Sequence, residues 1–558
     1  MAQTFGLLAF VAMVAAWLIP NHYPPWTSFY NDACMGLALF FVVLSVARIR
    51  PIVVPRIAWA VAALALIPWL QWATGLLKFS GDAWICTLYV LGFATAVAAG
   101  FMATRASPRT YGELMACSVL VAAILSASLA FMQSLEVWGL GIWIGEIATG
   151  MRASANLLQS NNFATLLAWG AVGLLMLREM GWLGRGTSAL LLAVLLAACA
   201  LSQSRTSLVY GPVFLLGMAL ARRHGVVFKT RLSTVAIATA VGWALIFATP
   251  SFMSHVELTA LQTVSERGSG SLRWQVWPIL ADGLAQRPWT GYGWLQVGAA
   301  ELASADKFAP TGELYLHAHN LFFEMVLWSG YPLGLLIVAV MIWWFVSRWT
   351  RVATVESAAA MIAVTVLGAH GMLELPYQYA YFLLPAGLWV GLVEAQRVRA
   401  MGRGSAWNAA LPAATFALFL AVCWDYPAVE EDFRLVRFET LHIGRLRAAQ
   451  PAPDAPFLSS LTAFLRFSRM TPAPGMNEQQ LTFMVDEAKR YPYAASLYRV
   501  AVSLALNGRP EEARQWFLKT RYIHGEVLYK RLKQNLRDAN LEAEGGRPGL
   551  VTLQNSLP

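Results

Sequence analysis

Runs of apolar residues near twenty long follow one another along the first three-quarters of this chain, separated by short polar connections. A helix of that length extends about 30 Å, enough to cross the hydrocarbon core of a bilayer. The pattern predicts an all-α, polytopic membrane protein with thirteen transmembrane helices, near residues 4–20, 32–47, 57–73, 83–103, 115–135, 162–177, 187–203, 206–221, 232–249, 320–346, 356–373, 377–395 and 406–424. Of the 558 residues, 58% are hydrophobic and only 13% charged, where a soluble protein carries about a quarter charged. The apolar run from Phe5 to Ile19 has no basic flank and no small-residue cleavage site. It is expected to be the first span and not a cleaved signal.

A net charge of +10 would on its own fit a nucleic-acid binder, but its placement argues for a topology signal instead. Alternate connections hold sixteen basic residues: Arg48, Arg50, Arg56, Arg105, Arg109, Arg178, Arg185, Arg222, Arg223, Lys229, Arg231, Arg348, Arg351, Arg397, Arg399 and Arg403. The opposite short connections hold Lys78, Arg152 and Arg205. Basic residues collect on the cytoplasmic side of a membrane. The N-terminus is therefore expected in the cytoplasm and the C-terminal region outside, with lipids and no nucleic acid as the charge's partners.

Residues 1–424 are expected to form the transmembrane catalytic domain, with a large external loop at about 251–319, and residues 425–558 a helical external domain. After the first span, NHYPPWTSFYND (21–32) has the prolines and aromatics of a rigid interfacial turn. Within the loop, SLRWQVWPILADGLAQRPWTGYGW contains an amphipathic helical stretch with Trp274, Trp277, Leu280 and Leu284. In the tail, YPYAASLYRVAVSLALNGRPEEARQWFLKT (491–520) resembles one tetratricopeptide helix pair around an N-G-R-P turn. Cys34, Cys86, Cys117, Cys199 and Cys423 lie within or beside apolar spans at no short spacing, as buried apolar residues rather than a disulfide or metal framework.

Polar groups at the outer ends of the spans carry the chemical information. In LSQSRTSLVYG, Arg205 separates two apolar segments among Ser202, Gln203, Ser204, Thr206 and Ser207. Either it reaches up to the outer headgroups, or it grips a phosphate with its planar donor fork. Arg273 follows a Gly-Ser run that would let backbone amides approach an anion; the alternative is a solvated loop charge. Arg287 and Lys307 read as surface charges. In HAHNLFFEMVLWSG, His317 and His319 stand at the mouth of an apolar run. No third ligand lies at a metal-site spacing, so the imidazoles read as a base or an orienting donor. Glu324, just over one turn into the span, is either their partner or an interfacial carboxylate. Arg152, Asn156, Gln159, Asn161 and Asn162 in MRASANLLQSNN, with His370, Glu374 and Tyr377, complete an outward-facing polar and basic cavity.

These segments resemble the O-antigen ligase/polymerase superfamily. HAHNLFFEMVLWSGYPLG matches its His-Asn pair ending the large periplasmic loop, LSQSRTSLVYG its Ser-x-Ser-Arg motif, and RPWTGYGW its Gly-rich loop. LIPNHYPPWTSFYND is similar to the N-terminal signature of PglL-type bacterial protein O-oligosaccharyltransferases. ANLLQSNNFATLL is similar to their Gly-Asn-x-x-Gln-x-Asn segment, with Ala155 where glycine is commoner. HGMLELPYQYAYFLLPAGLWVG is similar to their His-x-x-x-Glu-Tyr-Pro segment, with Leu375 for tyrosine. The likeness covers about residues 15–400 and extends loosely to the helical tail.

The resemblance implies a glycosyltransferase of the GT-C kind in a Gram-negative inner membrane, with its active site at the periplasmic face. The donor would be a glycan on undecaprenyl diphosphate. Its acceptor would be a protein Ser/Thr hydroxyl, with lipid A-core or a growing glycan as alternatives. Arg205 and Arg273 would bind the diphosphate, and His319 would activate or orient the acceptor. His317, Gln159, Asn162, Glu324 and His370 would support the site, with no metal and no cofactor. A lipid or polysaccharide transporter also needs many spans and a basic cavity, but would more often show internal repeats and broken helices near the midplane. A non-catalytic scaffold would leave Arg205 and the histidines unexplained.

Overall fold

The computed structural model describes residues 2–47, 52–137, 139–147, 151–255, 273–396, 406–441, 451–541 and 547–558. The basic residues Arg48, Arg50, Arg397, Arg399 and Arg403, and the Gly-Ser run before Arg273, lie outside these residues. The described residues form helices and turns and contain no strand. Nine of the helices among them are long and apolar enough to cross a membrane. The other four expected spans fall on shorter helices, Ala2–Leu18, Ser207–Arg223, Val355–Gly371 and Ala380–Ala395, of 16 or 17 residues. Such helices rise about 24–26 Å, short of the full hydrocarbon thickness. The polytopic, all-helical reading stands, with nine membrane-length helices where thirteen spans were expected. The 57–73 span is also broken, into Arg56–Ala63 and Leu66–Ala73. Pro68 lacks the N–H that would bond four residues back to Leu64, which is where the helix yields.

The chain divides into two compact units. The first comprises Met1–Leu66, Thr87–Gly270 and Val340–Cys423. Its interior is built around the fully buried aromatic rings of Trp17, Trp169 and Phe382. Trp169 meets both of the others edge to face, at 6.4 and 5.3 Å between centroids. The turn expected at 21–32 closes on Asp32, whose carboxylate accepts from Trp26 Nε1 (3.0 Å), Ser28 Oγ (2.8 Å), Tyr89 OH (3.1 Å) and Tyr381 N (3.1 Å). A buried carboxylate needs such donors to offset its lost hydration.

The second unit comprises Ile67–Cys86, Ser271–Ala339 and Trp424–Pro558. The amphipathic stretch forms the Arg273–Gln286 helix, which buries Val276, Ile279, Leu280 and Leu284. Trp274, expected on that apolar face, is instead 76% exposed and meets Trp277 edge to face. The described residues of the tail form helices joined by short turns, with Phe467, Met484, Val500, Leu504, Phe517 and Leu536 in its core. Asn477 and Gln480 form a reciprocal capping box at the Glu478–Arg490 helix. Around Asn507–Pro510, Ala494–Leu506 and Pro510–Leu541 make a helical hairpin. Its second arm is 32 residues long and kinks at Gly525, so what stands is a hairpin, a coarser feature than a tetratricopeptide unit.

Candidate active site

In the first unit, Arg205 lies on a four-residue turn between the Arg185–Ser202 and Ser207–Arg223 helices. Gln203 ends the first helix in the left-handed region (φ 45°), and its amide donates to the carbonyls of Ala200 and Ile246, both at 2.8 Å. Ser204 Oγ donates to Asn161 Oδ1 (2.7 Å), and Asn161 Nδ2 donates to Glu374 Oε1 (3.1 Å). Three segments far apart in sequence thus meet beside the arginine. Arg205 is exposed while its neighbours on both sides are buried. Burial depresses the Arg152 guanidinium from its ordinary value. The charge of Glu374 opposes that shift, and the charge of Arg205 adds to it. Arg152, Arg205 and Glu374 therefore share one electrostatic neighbourhood.

The segment leading to Asn161 is held from below. Gln133 Nε2 donates to the carbonyls of Gly145 and Ala155, while its Oε1 accepts from Ser154 N and Ala155 N. Ala155 adopts φ 49°, a conformation that costs a side chain and none to glycine. That explains the glycine commoner at this position in the resembling segments. Asn162 Nδ2 donates to Tyr381 OH (2.9 Å). The Oε1 of Gln159 and the Oδ1 of Asn162 are buried acceptors without a hydrogen-bond partner among the described residues. His370 is fully buried, its Nδ1 2.7 Å from Thr165 Oγ1. It braces the helices, and no part of it reaches a surface.

In the second unit, the histidine loop is fixed by a carboxylate. His317 Nδ1–H donates to Glu324 Oε1 (2.8 Å), and Ala318 N donates to Glu324 Oε2 (3.3 Å). Glu324 is fully buried, so it is the partner of the loop and not an interfacial charge. His319 takes φ 52°, a strained setting for a non-glycine residue. Its Nδ1–H donates to the His317 carbonyl (3.2 Å). Each neutral ring that donates through Nδ1 keeps Nε2 as its lone-pair nitrogen. Asn320 Oδ1 then accepts from Phe323 N (3.0 Å) and caps the helix.

Trp277 Nε1 donates to the Ala318 carbonyl (2.9 Å) and ties the histidine loop to the Arg273–Gln286 helix. Arg273, four residues before Trp277, shares that helix face. Its charge is felt at Tyr315, whose ring lies 5.6 Å edge-on from His319. Burial, with Glu313 adding, pushes the Tyr315 phenol up to about 12, and Arg273 opposes it. Behind this segment, burial pushes Glu301 up to about 8 although Tyr315 N donates to it (2.7 Å). The structure therefore joins Arg273, His317, His319 and Glu324 in one unit. Arg205, Gln159, Asn162 and His370 belong to the other. Tyr315 lies in no motif, and Trp277 was legible only as part of the amphipathic stretch; their contacts with the histidine loop come from the fold.

The Gly-rich loop has a mechanical task. The Leu321–Trp349 helix breaks at Gly330 (φ 75°, ψ 173°), and Pro332 removes the donor due to Trp328 O. Tyr292 N donates to Leu327 O (2.9 Å), Gly293 N to Trp328 O (3.2 Å), and Gln71 Nε2 also to Trp328 O (2.8 Å). Gly291 permits the approach, since a Cβ there would lie 2.3 Å from Leu327 O. The half-helix bearing Glu324 is anchored by these bonds.

Residues 190–338 match the family described as "O-Antigen ligase", and residues 358–537 the one described as "Virulence factor membrane-bound polymerase, C-terminal". The chain is 29% identical to a General O-oligosaccharyltransferase of Acinetobacter baylyi, over 96% of this chain and 95% of that one. It is 25% identical to a ComP-specific O-oligosaccharyltransferase of the same organism, over 74% of each. Arg205, Arg273, His317 and His319 all lie within the first family match. With these motifs and relatives, the chain is similar to the O-antigen ligase superfamily, and within it most like the O-oligosaccharyltransferases.

Proposed function

We propose that this chain transfers a preassembled glycan from undecaprenyl diphosphate to a Ser or Thr hydroxyl of an acceptor protein. The reaction takes place at the periplasmic face of a bacterial inner membrane. The observation that carries this reading is the alignment, along nearly the whole of both chains, with a relative named General O-oligosaccharyltransferase. The thirteen spans, the cytoplasmic N-terminus and the division into a membrane domain (1–424) and a periplasmic domain (425–558) belong to the same proposal. So do the site roles.

His319 Nε2 takes the proton of the acceptor hydroxyl. The hydroxyl oxygen bonds to the anomeric carbon as the bond from that carbon to the diphosphate oxygen breaks. The electron pair leaves with undecaprenyl diphosphate, and the proton passes from His319 to solvent. Arg205 and Arg273 meet the leaving group's charge; fixed cations stabilise it without reorganising during the step. The Glu324–His317 contact supports this reading by holding the loop that presents His319. Gln159, Asn162 and His370 support the site from the Arg205 side. The scheme uses no metal and no cofactor.

A single in-line displacement inverts the anomeric centre. The purified chain, incubated with a lipid-diphosphate glycan and a Ser-containing acceptor, should add one glycan mass to the acceptor, with the anomeric configuration opposite to the donor's. No added mass, or retained configuration, contradicts the proposal.

A further inference from the structure

The first unit contains a cavity of about 530 Å³ that the transfer chemistry does not use. It lies among the Ser160–Met180, Arg185–Ser202, Ser207–Arg223 and Leu232–His255 helices, and its walls are mainly apolar, with Leu167, Leu174, Leu195, Phe214 and Ile246 among them. The lining runs from Leu167 to Arg178 on the first of these helices and from Thr234 to Ile246 on the last. At 1.5 Å of rise per residue, those stretches are about 17 and 18 Å long. That is close to one leaflet of a hydrocarbon core about 30 Å thick.

One end of the cavity is cationic. Arg178, Arg185, Lys229 and Arg231 all line it there, and none of the four has a carboxylate ion-pair partner among the described residues. Arg348, on another of the basic connections, shows the contrast, being buried against Glu394. Glu179 holds the turn and, among the described residues, forms no ion pair with the four cations. It accepts from Lys229 N (2.6 Å), Thr230 N (2.8 Å) and Thr230 Oγ1 (2.7 Å). Arg222 Nη2 donates to Thr230 O (2.8 Å) from the other side. The turn that presents Lys229 and Arg231 is therefore a built structure, fixed by four hydrogen bonds. The positive-inside rule places this end at the cytoplasmic headgroups.

We infer that the cavity binds an anionic phospholipid of the cytoplasmic leaflet. One acyl chain lies between the four helices, and the headgroup phosphate lies among Arg178, Arg185, Lys229 and Arg231. Four cations without carboxylate partners select a negative headgroup over a zwitterionic one. The one-leaflet length selects an acyl chain over the much longer tail of a polyprenyl lipid. Two of the same helices end at the turn that carries Arg205, so the lipid fills space beneath that turn.

The test is native mass spectrometry of the full chain, stripped of lipid in detergent and titrated with dioleoylphosphatidylglycerol, dioleoylphosphatidylcholine or a polyprenyl monophosphate. Phosphatidylglycerol should bind about tenfold tighter than phosphatidylcholine. Lys229→Gln with Arg231→Gln should abolish that preference, while Arg178, Arg185, Arg222 and Arg223 keep the topology signal. Ala238→Phe, which fills the cavity and leaves its charge alone, should reduce phosphatidylglycerol binding by a similar factor. If Ala238→Phe does not fold, the charge variant decides: phosphatidylglycerol should raise the melting temperature of wild type and not of that variant. Equal binding of the two phospholipids overturns the inference. Phosphatidylglycerol binding unchanged in a folded Ala238→Phe also overturns it, leaving only surface charge. Polyprenyl monophosphate displacing phosphatidylglycerol one for one assigns the cavity to the donor tail, and overturns it too.

Discussion

Arg205 is the exposed member of a polar stretch in which Ser202, Gln203, Ser204, Thr206 and Ser207 are all buried. The buried hydroxyls and amides hold the turn and leave the guanidinium to face outward. A headgroup-snorkelling arginine would need only its charge, whereas a diphosphate ligand uses the donor fork. Arg205→Lys should therefore slow transfer about 10²-fold with the melting temperature unchanged, while Arg287→Ala stays near wild type. Wild-type turnover in Arg205→Lys would assign the residue to the headgroups. His319 is argued to act on the acceptor, so His319→Ala should lose about 10²–10⁴-fold in transfer rate yet bind donor lipid normally. His317→Ala and Glu324→Ala should lose less than His319→Ala and by amounts similar to each other, because Glu324 holds the loop through His317 and Ala318. Donor binding and transfer measured separately decide the matter; a donor-binding loss in His319→Ala as deep as in Arg205→Ala moves the imidazole to the diphosphate side. The pattern H-x-H-N and the arginine between two apolar runs were readable because ionisable groups beside apolar runs are costly. Glu374 and Asn161 were visible only as outer-face polar groups, since their contact spans 213 residues of sequence.

At the level of elements, the break in the Leu321–Trp349 helix and the loop that serves it form one device. Gly330 and Pro332 in WSGYPLG are the local signal for the break, although the apolar run reads as one continuous span. The source of the replacement donors was not readable, because Gln71 and Trp328 are 257 residues apart; a glutamine inside an apolar run was the available signal. A Cβ at Gly330 would lie 2.5 Å from the Trp289 carbonyl carbon at φ 75°. Gly330→Ala should destabilise the protein by about 1–3 kcal/mol and depress transfer, because the half-helix bearing Glu324 must shift. Thermal unfolding and transfer assays check both effects, and an unchanged melting temperature would show that the kink is not tightly packed. Trp274 was misplaced on the buried face because helical spacing alone does not say where an apolar stripe ends. The NGRP turn was read correctly as joining two helices, from the glycine after one and the proline opening the next.

For the whole molecule, composition and apolar periodicity were enough to give an all-helical, polytopic membrane protein. Counting spans was harder, because a run of apolar residues does not reveal where a turn such as Gln203–Thr206 shortens the helices on either side. The division into two units, with Ile67–Cys86 grouped with the tail, had no signature in local sequence. The central claim is that this architecture delivers a lipid-linked glycan to protein hydroxyls. The most direct measurement is reconstitution of the purified chain with a lipid-diphosphate glycan and, in separate reactions, a pilin-like protein and lipid A-core. Glycan should appear on Ser or Thr of the protein and not on lipid A-core. Glycan on lipid A-core alone would make the chain an O-antigen ligase and contradict the claim.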